Sequence, residues 1–301
     1  MNTVIDAPIF AIALSPNFET DKLAFVASQA GLFKSNDGGV TWESLYKHTP
    51  FAQDTPTTAL ALSPNFANDQ TLFAAISGAI LYSYDCGESW QISTLGLPSP
   101  IVSAICISPN FVNDSKLFVS TLEDGVFSST DRGKSFERCS FHLYDLHVNC
   151  ITLSSNYHGD TTLWVGNEIG VFRSLNDTHS WQEAAFPIQA SPVLSLAVSE
   201  DNTLYAGTLA NGLFESTDGG DSWQPIVEAS LLHNISQIIA DKNGLFLLSD
   251  DGLYHLQPSE TQYIITCLYK NEAILSFALH RDEKQTFLIG HSNGEIHNSL
   301  T

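Results

Sequence analysis

His142, Tyr144, Asp145 and His147 form one short stretch whose two imidazoles and carboxylate could hold a transition metal. On an extended segment Asp145 and His147 share a side and His142 faces away. A polar surface loop without metal is therefore the reading the spacing favours. Cys139 and Cys150 flank the stretch and could pair under oxidation. With Cys86, Cys106 and Cys267 the count is five, odd, and without metal-type pair spacing, which suits free thiols in a reducing compartment. Asp37, Asp85, Asp131 and Asp218 recur in Gly-containing turns, but those turns lack the alternating ligands and closing Glu of a calcium loop. The chain carries no Gly-rich phosphate loop, nucleophile elbow or His-Glu-x-x-His helix. No catalytic residue, cofactor or metal site is expected.

The same aspartates belong to the strongest signal in the chain, an internal repeat. Ser35-Asn36-Asp37-Gly38-Gly39-Val40-Thr41-Trp42 returns as Ser83 to Trp90, as Ser129 to Phe136, in degraded form as Ser174 to Trp181, and as Ser216 to Trp223. Successive motif serines are 48, 46, 45 and 42 residues apart. Upstream of the first four, Ser15-Pro16-Asn17-Phe18 recurs as Ser63 to Phe66, Ser108 to Phe111 and Ser154 to Tyr157. Two later blocks, around Gly244–Tyr254 and Phe287–Ile296, keep the strand pattern without the motif. Seven blocks of this period predict an all-β chain, a seven-bladed β-propeller of four-stranded antiparallel blades.

In the first block the predicted strands are A at Ile9–Leu14, B at Leu23–Ala27, C at Gly31–Lys34 and D at Thr41–Leu45. The blades are expected at 9–46, 57–93, 101–138, 148–184, 193–228, 234–269 and 272–301 plus 2–6, within a single propeller spanning 1–301. The last block runs out after its C strand, so the N-terminal segment Asn2–Asp6 is expected to supply its outer strand and close the ring. The motif falls between C and D, which makes it a hairpin turn. Its Asp accepts backbone N–H groups, its Gly (Gly39, Gly87, Gly133, Gly220) takes a positive-φ position, and its aromatic (Trp42, Trp90, Phe136, Trp181, Trp223) packs between sheets.

At these residues the sequence resembles the Asp-box, or bacterial neuraminidase, repeat family. That family includes sialidases, sortilin, xyloglucan-active endoglucanases and the photosystem II stability/assembly factor. The resemblance implies a structural box and leaves function open. The single-propeller length is most similar to the assembly-factor group and to uncharacterised sortilin- or sialidase-like repeat proteins. A sialidase-like site would need three clustered arginines. This chain has only Arg132, Arg138, Arg173 and Arg281, none placed for that role.

The formal net charge is -21, from 33 acidic against 12 basic residues, so nucleic acid and anionic lipid are poor partners. A protein partner with a basic surface is expected instead. No long apolar stretch or basic leader stands out, which points to the cytoplasm and against membrane insertion. The box turns repeat almost unchanged on one face. On the other, the B–C turns and D–A connections vary and combine acids with aromatics: Glu123, Asp124, Tyr144, Asp145, Glu168, Asp250 and Asp251 are the candidate partner-binding residues. The functional expectation is a non-catalytic scaffold, assembly factor or complex subunit. The alternative is a carbohydrate-directed protein, glycosidase-like or lectin-like.

Overall fold

A computed structural model describes residues 3–47, 55–187, 191–229, 232–259, 262–280 and 286–299. After β1 (Thr3–Val4), the first sheet is β2 (Ile9–Leu14), β3 (Ala24–Ser28), β4 (Gly31–Ser35) and β5 (Glu43–Ser44). The second is β6 (Ala59–Leu62), β7 (Leu72–Ile76), β8 (Ala79–Ser83) and β9 (Gln91–Thr94). The third is β10 (Val102–Ile107), β11 (Leu117–Thr121), β12 (Gly125–Ser129) and β13 (Glu137–Arg138). The fourth is β14 (Val148–Leu153), β15 (Leu163–Asn167), β16 (Gly170–Ser174) and β17 (Gln182–Glu183). The fifth is β18 (Val193–Val198), β19 (Leu204–Thr208), β20 (Leu213–Ser216) and β21 (Gln224–Pro225). The sixth is β22 (Gln237–Asp241), β23 (Gly244–Ser249), β24 (Gly252–Pro258) and β25 (Tyr263–Lys270). The seventh joins β26 (Ile274–His280), β27 (Thr286–His291) and β28 (Glu295–Asn298) to β1. Seven four-stranded antiparallel sheets in a ring make a seven-bladed β-propeller.

The N-terminal strand does supply the outer edge of the last sheet: Thr3 pairs with Ile296 and Val4 with Glu295, and Ile5 N–H donates to Gly294 O at 3.0 Å. Two compact units divide the chain, one of 1–117, 129–137 and 273–301, the other of 118–128 and 138–272. In the first, Ile9, Phe18, Val26, Leu288 and Ile296 are buried together. In the second, Trp164, Phe214 and Trp223 pack with Val193 and Leu204. The B strands read as continuous apolar runs because both their faces are covered: every residue of β3, β7, β11, β15 and β19 is buried.

The Ser-Pro-Asn-Phe segments lead into single helical turns: α1 (Phe18–Asp21), α2 (Phe66–Asp69), α3 (Phe111–Asp114) and α4 (Tyr157–Asp160). Each is clamped between a Ser three residues before it and its own last residue, an Asp. Ser63 Oγ donates to Asp69 Oδ2 at 2.7 Å, and Asp69 Oδ1 accepts the N–H of Thr71 at 3.0 Å. Ser15–Asp21, Ser108–Asp114 and Ser154–Asp160 repeat the pair. Every helical turn buries its leading aromatic ring. Phe66 packs edge-on to Phe25, Phe111 to Phe73 and Tyr157 to Phe118, with centroids 5.6 to 5.8 Å apart. These three rings therefore fill the space beside the second residue of the preceding sheet's B strand.

Candidate functional site

The box turns are closed by their own side chains. Asp37 Oδ1 accepts from Ser35 Oγ at 2.8 Å, from Val40 N at 3.0 Å and from Thr41 N at 2.9 Å, while Oδ2 accepts from Thr41 Oγ1 at 2.6 Å. Asp85, Asp131 and Asp218 are held the same way by Ser83 and Ser89, Ser129 and Ser135, and Ser216 and Ser222. Gly133 shows why this position is glycine: its φ is 85°, and a Cβ would lie 2.5 Å from the Phe73 ring. In the fourth box Asn176 stands where the others have Asp, its Oδ1 accepting Ser174 Oγ and Ser180 N, both at 3.0 Å. Thr178 stands where they have the buried Gly, at φ 67°.

The box aromatics turn inward. Trp181 Nε1 donates to Cys139 O and Trp223 Nε1 to Ala184 O, each at 2.7 Å. Trp42 and Trp90 are half-buried against Leu288-containing and Leu45-containing clusters respectively, and Phe136 is half-buried. Of the arginines, Arg132 lies over the Phe111 ring at 4.8 Å, Arg138 pairs with Asp124 at 3.6 Å, and Arg173 bonds Gly219 O and Asp221. Arg281 lies outside the described residues.

On the other face, the connection from β13 to β14 is fixed at many points. Leu143 is buried, and its N–H donates to Ser140 O at 3.0 Å. Ser140 Oγ accepts Val126 N–H at 2.9 Å, and Trp181 N–H donates to Phe141 O at 3.0 Å. Asp145 Oδ1 accepts His147 N–H at 3.0 Å, and its Oδ2 accepts Glu168 N–H at 3.2 Å. This frame leaves Phe141 65% and Tyr144 74% exposed. Tyr144 leans edge-on to Phe172. Phe172 and exposed Ile169, with Glu183 and Phe186, line an open pocket of about 280 Å³.

The acidic candidates separate into two groups. Glu123 and Asp250 are exposed. Asp124 is taken by Arg138, Glu168 accepts from Asn149 Nδ2 at 3.1 Å and faces His147 Nε2 at 3.7 Å, and Asp251 accepts from Tyr254 OH at 2.8 Å and faces Lys270 at 3.7 Å. Asp145 is spent on its own turn. The His142–Asp145–His147 stretch does not assemble a ligand set: His142 stacks on Phe141 at 3.9 Å while His147 faces Glu168. Among the described residues no three His, Cys, Asp or Glu side chains converge as metal ligands. Cys139 and Cys150 are free thiols, and burial pushes both up, Cys150 to about 12, so neither is an activated nucleophile. His48, Phe51 and Leu231, which the sequence places in D–A connections of the same face, lie outside the described residues.

The Ser–Asp clamps of α1–α4 went unread in the sequence, although an Asp six residues after each Ser was there to find. Ile169 was likewise passed over, its signal being an apolar residue at the tip of a B–C turn.

No protein-family model and no curated protein matches the sequence. Among solved structures the chain resembles the extracellular domain of BT4673 from B. thetaiotaomicron, with TM-score 0.73 and 16% identity over 98% of this chain and 39% of that one. It resembles YCF48 bound to D1 peptide, with TM-score 0.70 and 12% identity over 100% and 96%. It also resembles the GH74 enzyme of Niastella koreensis, with TM-score 0.71 and 14% identity over 96% and 52%. The chain thus spans well under two thirds of the first and third of these, and nearly the whole of the second. At these identities the fold is what this chain shares with them.

Proposed function

We propose that the protein is a non-catalytic scaffold that takes a protein partner on the face carrying Phe141, Tyr144 and Ile169. The observation behind this reading is the exposure of two large aromatics on a loop whose backbone is hydrogen-bonded into the blades around it. A rigid aromatic display loses little entropy on binding, and such residues dominate interface energetics. Glu123 and Glu168 add negative charge near this patch, which favours a partner with basic residues around an apolar centre. The peptide-bound YCF48 structure lends the reading support at the level of fold. No helix among the described residues is long and apolar enough to cross a membrane. The free thiols of Cys139 and Cys150 fit a reducing compartment such as the cytoplasm.

Affinity capture with the wild-type chain and a Phe141→Ala/Tyr144→Ala variant tests the reading. Partners recovered by the wild type and cross-linked to this loop should be lost by the variant. Equal recovery of the same partners by both would remove this face from consideration. The GH74 likeness keeps a carbohydrate-directed role as the second reading. Glycan-array binding that survives the double substitution would favour it.

A further inference from the structure

Sheets five and six lack the helical turn that caps the first four. Their A–B connections shrink to the segment 199–203 and to Lys242-Asn243. Tyr205 is the second residue of β19, as Phe25, Phe73 and Phe118 are of β3, β7 and β11. Those three rings each meet an aromatic from the helical turn of the next sheet. Among the described residues sheet six offers no helical-turn ring; Tyr263 of β25 packs beside Tyr205. An open cleft of about 390 Å³ stands there, between the fifth and sixth blades and within one compact unit. That volume lies within the range of small-ligand sites.

Tyr205, Leu245, Pro258 and Tyr263 form the cleft's apolar and aromatic walls. Glu200, Asp201, Glu215 and Asp241 also line it, against a single cation, Lys242. Tyr263 OH donates to Glu215 Oε2 at 2.9 Å, which orients that carboxylate and leaves its other oxygen to accept from elsewhere. Among the described residues none of these four acids forms an ion pair.

We infer that this cleft receives the side chain of a lysine or arginine presented by an extended segment of a protein partner. An aliphatic stem suits the Leu245, Pro258 and tyrosine walls, the cationic head suits the carboxylates, and the ring faces add cation–π attraction. An anionic ligand would meet four carboxylates, and a neutral one would leave their charge unused. The inference deepens the reading of the chain as a protein-binding scaffold, but it uses the opposite face from Phe141 and Tyr144.

Fluorescence anisotropy with a labelled Gly-Lys-Gly-Lys-Gly peptide at near-physiological salt tests it. The peptide should bind, and its Nε-acetylated counterpart should bind at least about tenfold more weakly. Glu215→Gln with Asp241→Asn should weaken binding about tenfold. Glu19→Gln with Glu137→Gln removes equal charge at exposed positions elsewhere and should leave it within about twofold. Lys242→Ala should tighten binding, a gain that misfolding cannot imitate. Equal weakening by the two double variants would mean diffuse attraction to an acidic protein and would overturn the inference, as would no binding or indifference to acetylation. Spermidine displacing the peptide at far lower concentration than the peptide itself would assign the cleft to free amines and overturn the partner assignment. None of these results depends on Phe141 or Tyr144, so the two readings fail separately.

Discussion

Asp85 shows how much one carboxylate does in these turns. Partial burial pushes its pKa up, and hydrogen bonds from the Ser89 hydroxyl and N–H, then from Ser83, pull it further down, so it ends below the usual carboxylate value. Asp37 and Asp131 follow the same balance. For Asp218 the Ser222 hydroxyl leads, and the value falls to about 2. A group whose folded value lies below its unfolded value of about 3.9 stabilises the fold fully above that pH. The contribution drains away as pH falls through the folded value, here between about pH 4 and 2. Asn176 already fills the same seat in the fourth box, so Asn is sterically acceptable there. Asp85→Asn should cost about 1 kcal/mol at neutral pH, the difference between a charge-assisted and a neutral hydrogen bond. The gap in melting temperature between variant and wild type should close as pH falls through the lowered folded value of Asp85. A gap that persists unchanged at low pH would mean that packing, not ionisation, is lost. Thr178 marks the opposite case, a β-branched residue at positive φ. Thr178→Gly should raise stability by up to about 1 kcal/mol, the steric cost of that backbone exceeding the entropy glycine adds to the unfolded chain. A denaturant midpoint that falls would show the threonine's contacts outweigh its strain.

At the scale of elements, ring closure rests on few bonds. β1 is two residues long, yet it covers the free edge of β28. Deleting Met1–Asp6 exposes that edge and removes Ile5 from the cluster around Ile9 and Leu288. The melting temperature should fall by several degrees, with faster amide exchange in β28. Exchange that spreads no further than wild type would show the closing strand to be dispensable. The element order was legible because each B and C strand is a short apolar run bounded by turn residues. The outer strand was predicted at Thr41–Leu45 and runs only over Glu43–Ser44, because Thr41 and Trp42 are consumed by the box turn. The helical turns were illegible for a different reason: one turn is too short to show a 3.6-residue period. Their Ser–Asp clamp, which reports the same structure, lies in spacing and not in hydrophobicity. The candidate face was half legible. Its acidic turns and Tyr144 sit where the repeat placed them, but whether Asp124 or Glu168 points outward depends on Arg138 and Asn149, which come from other strands. The cleft beside Tyr205 could not be read at all, since its walls come from strands and turns far apart in sequence, from Ser199 to Tyr263.

For the whole molecule, the decisive quantity is a formal charge of -21 on 301 residues. Charge of one sign repels itself in the compact state more than in the expanded one. Added salt shortens the reach of that repulsion, from about 30 Å at 0.01 M to about 3 Å at 1 M. Among the described residues most ion pairs that salt would weaken include an exposed side chain, such as Lys270–Asp251, and are worth little. Screening of repulsion should therefore win at pH 7, and the melting temperature should rise as sodium chloride is increased over that range. The same titration near pH 4.5, close to the sequence isoelectric point, removes the repulsion that salt would screen. The rise should shrink there, while the box carboxylates, held at lower values, remain ionised and the turns stay closed. His255 and His291, whose burial lowers their proton affinity, work against the fold as pH drops, because the unfolded chain binds protons at these sites first, below about pH 6.5. Absolute stability at pH 4.5 is consequently a mixed quantity, and the slope against salt isolates the charge term. A slope equal at the two pH values would show that the acidic excess is distributed so that it does not load the fold.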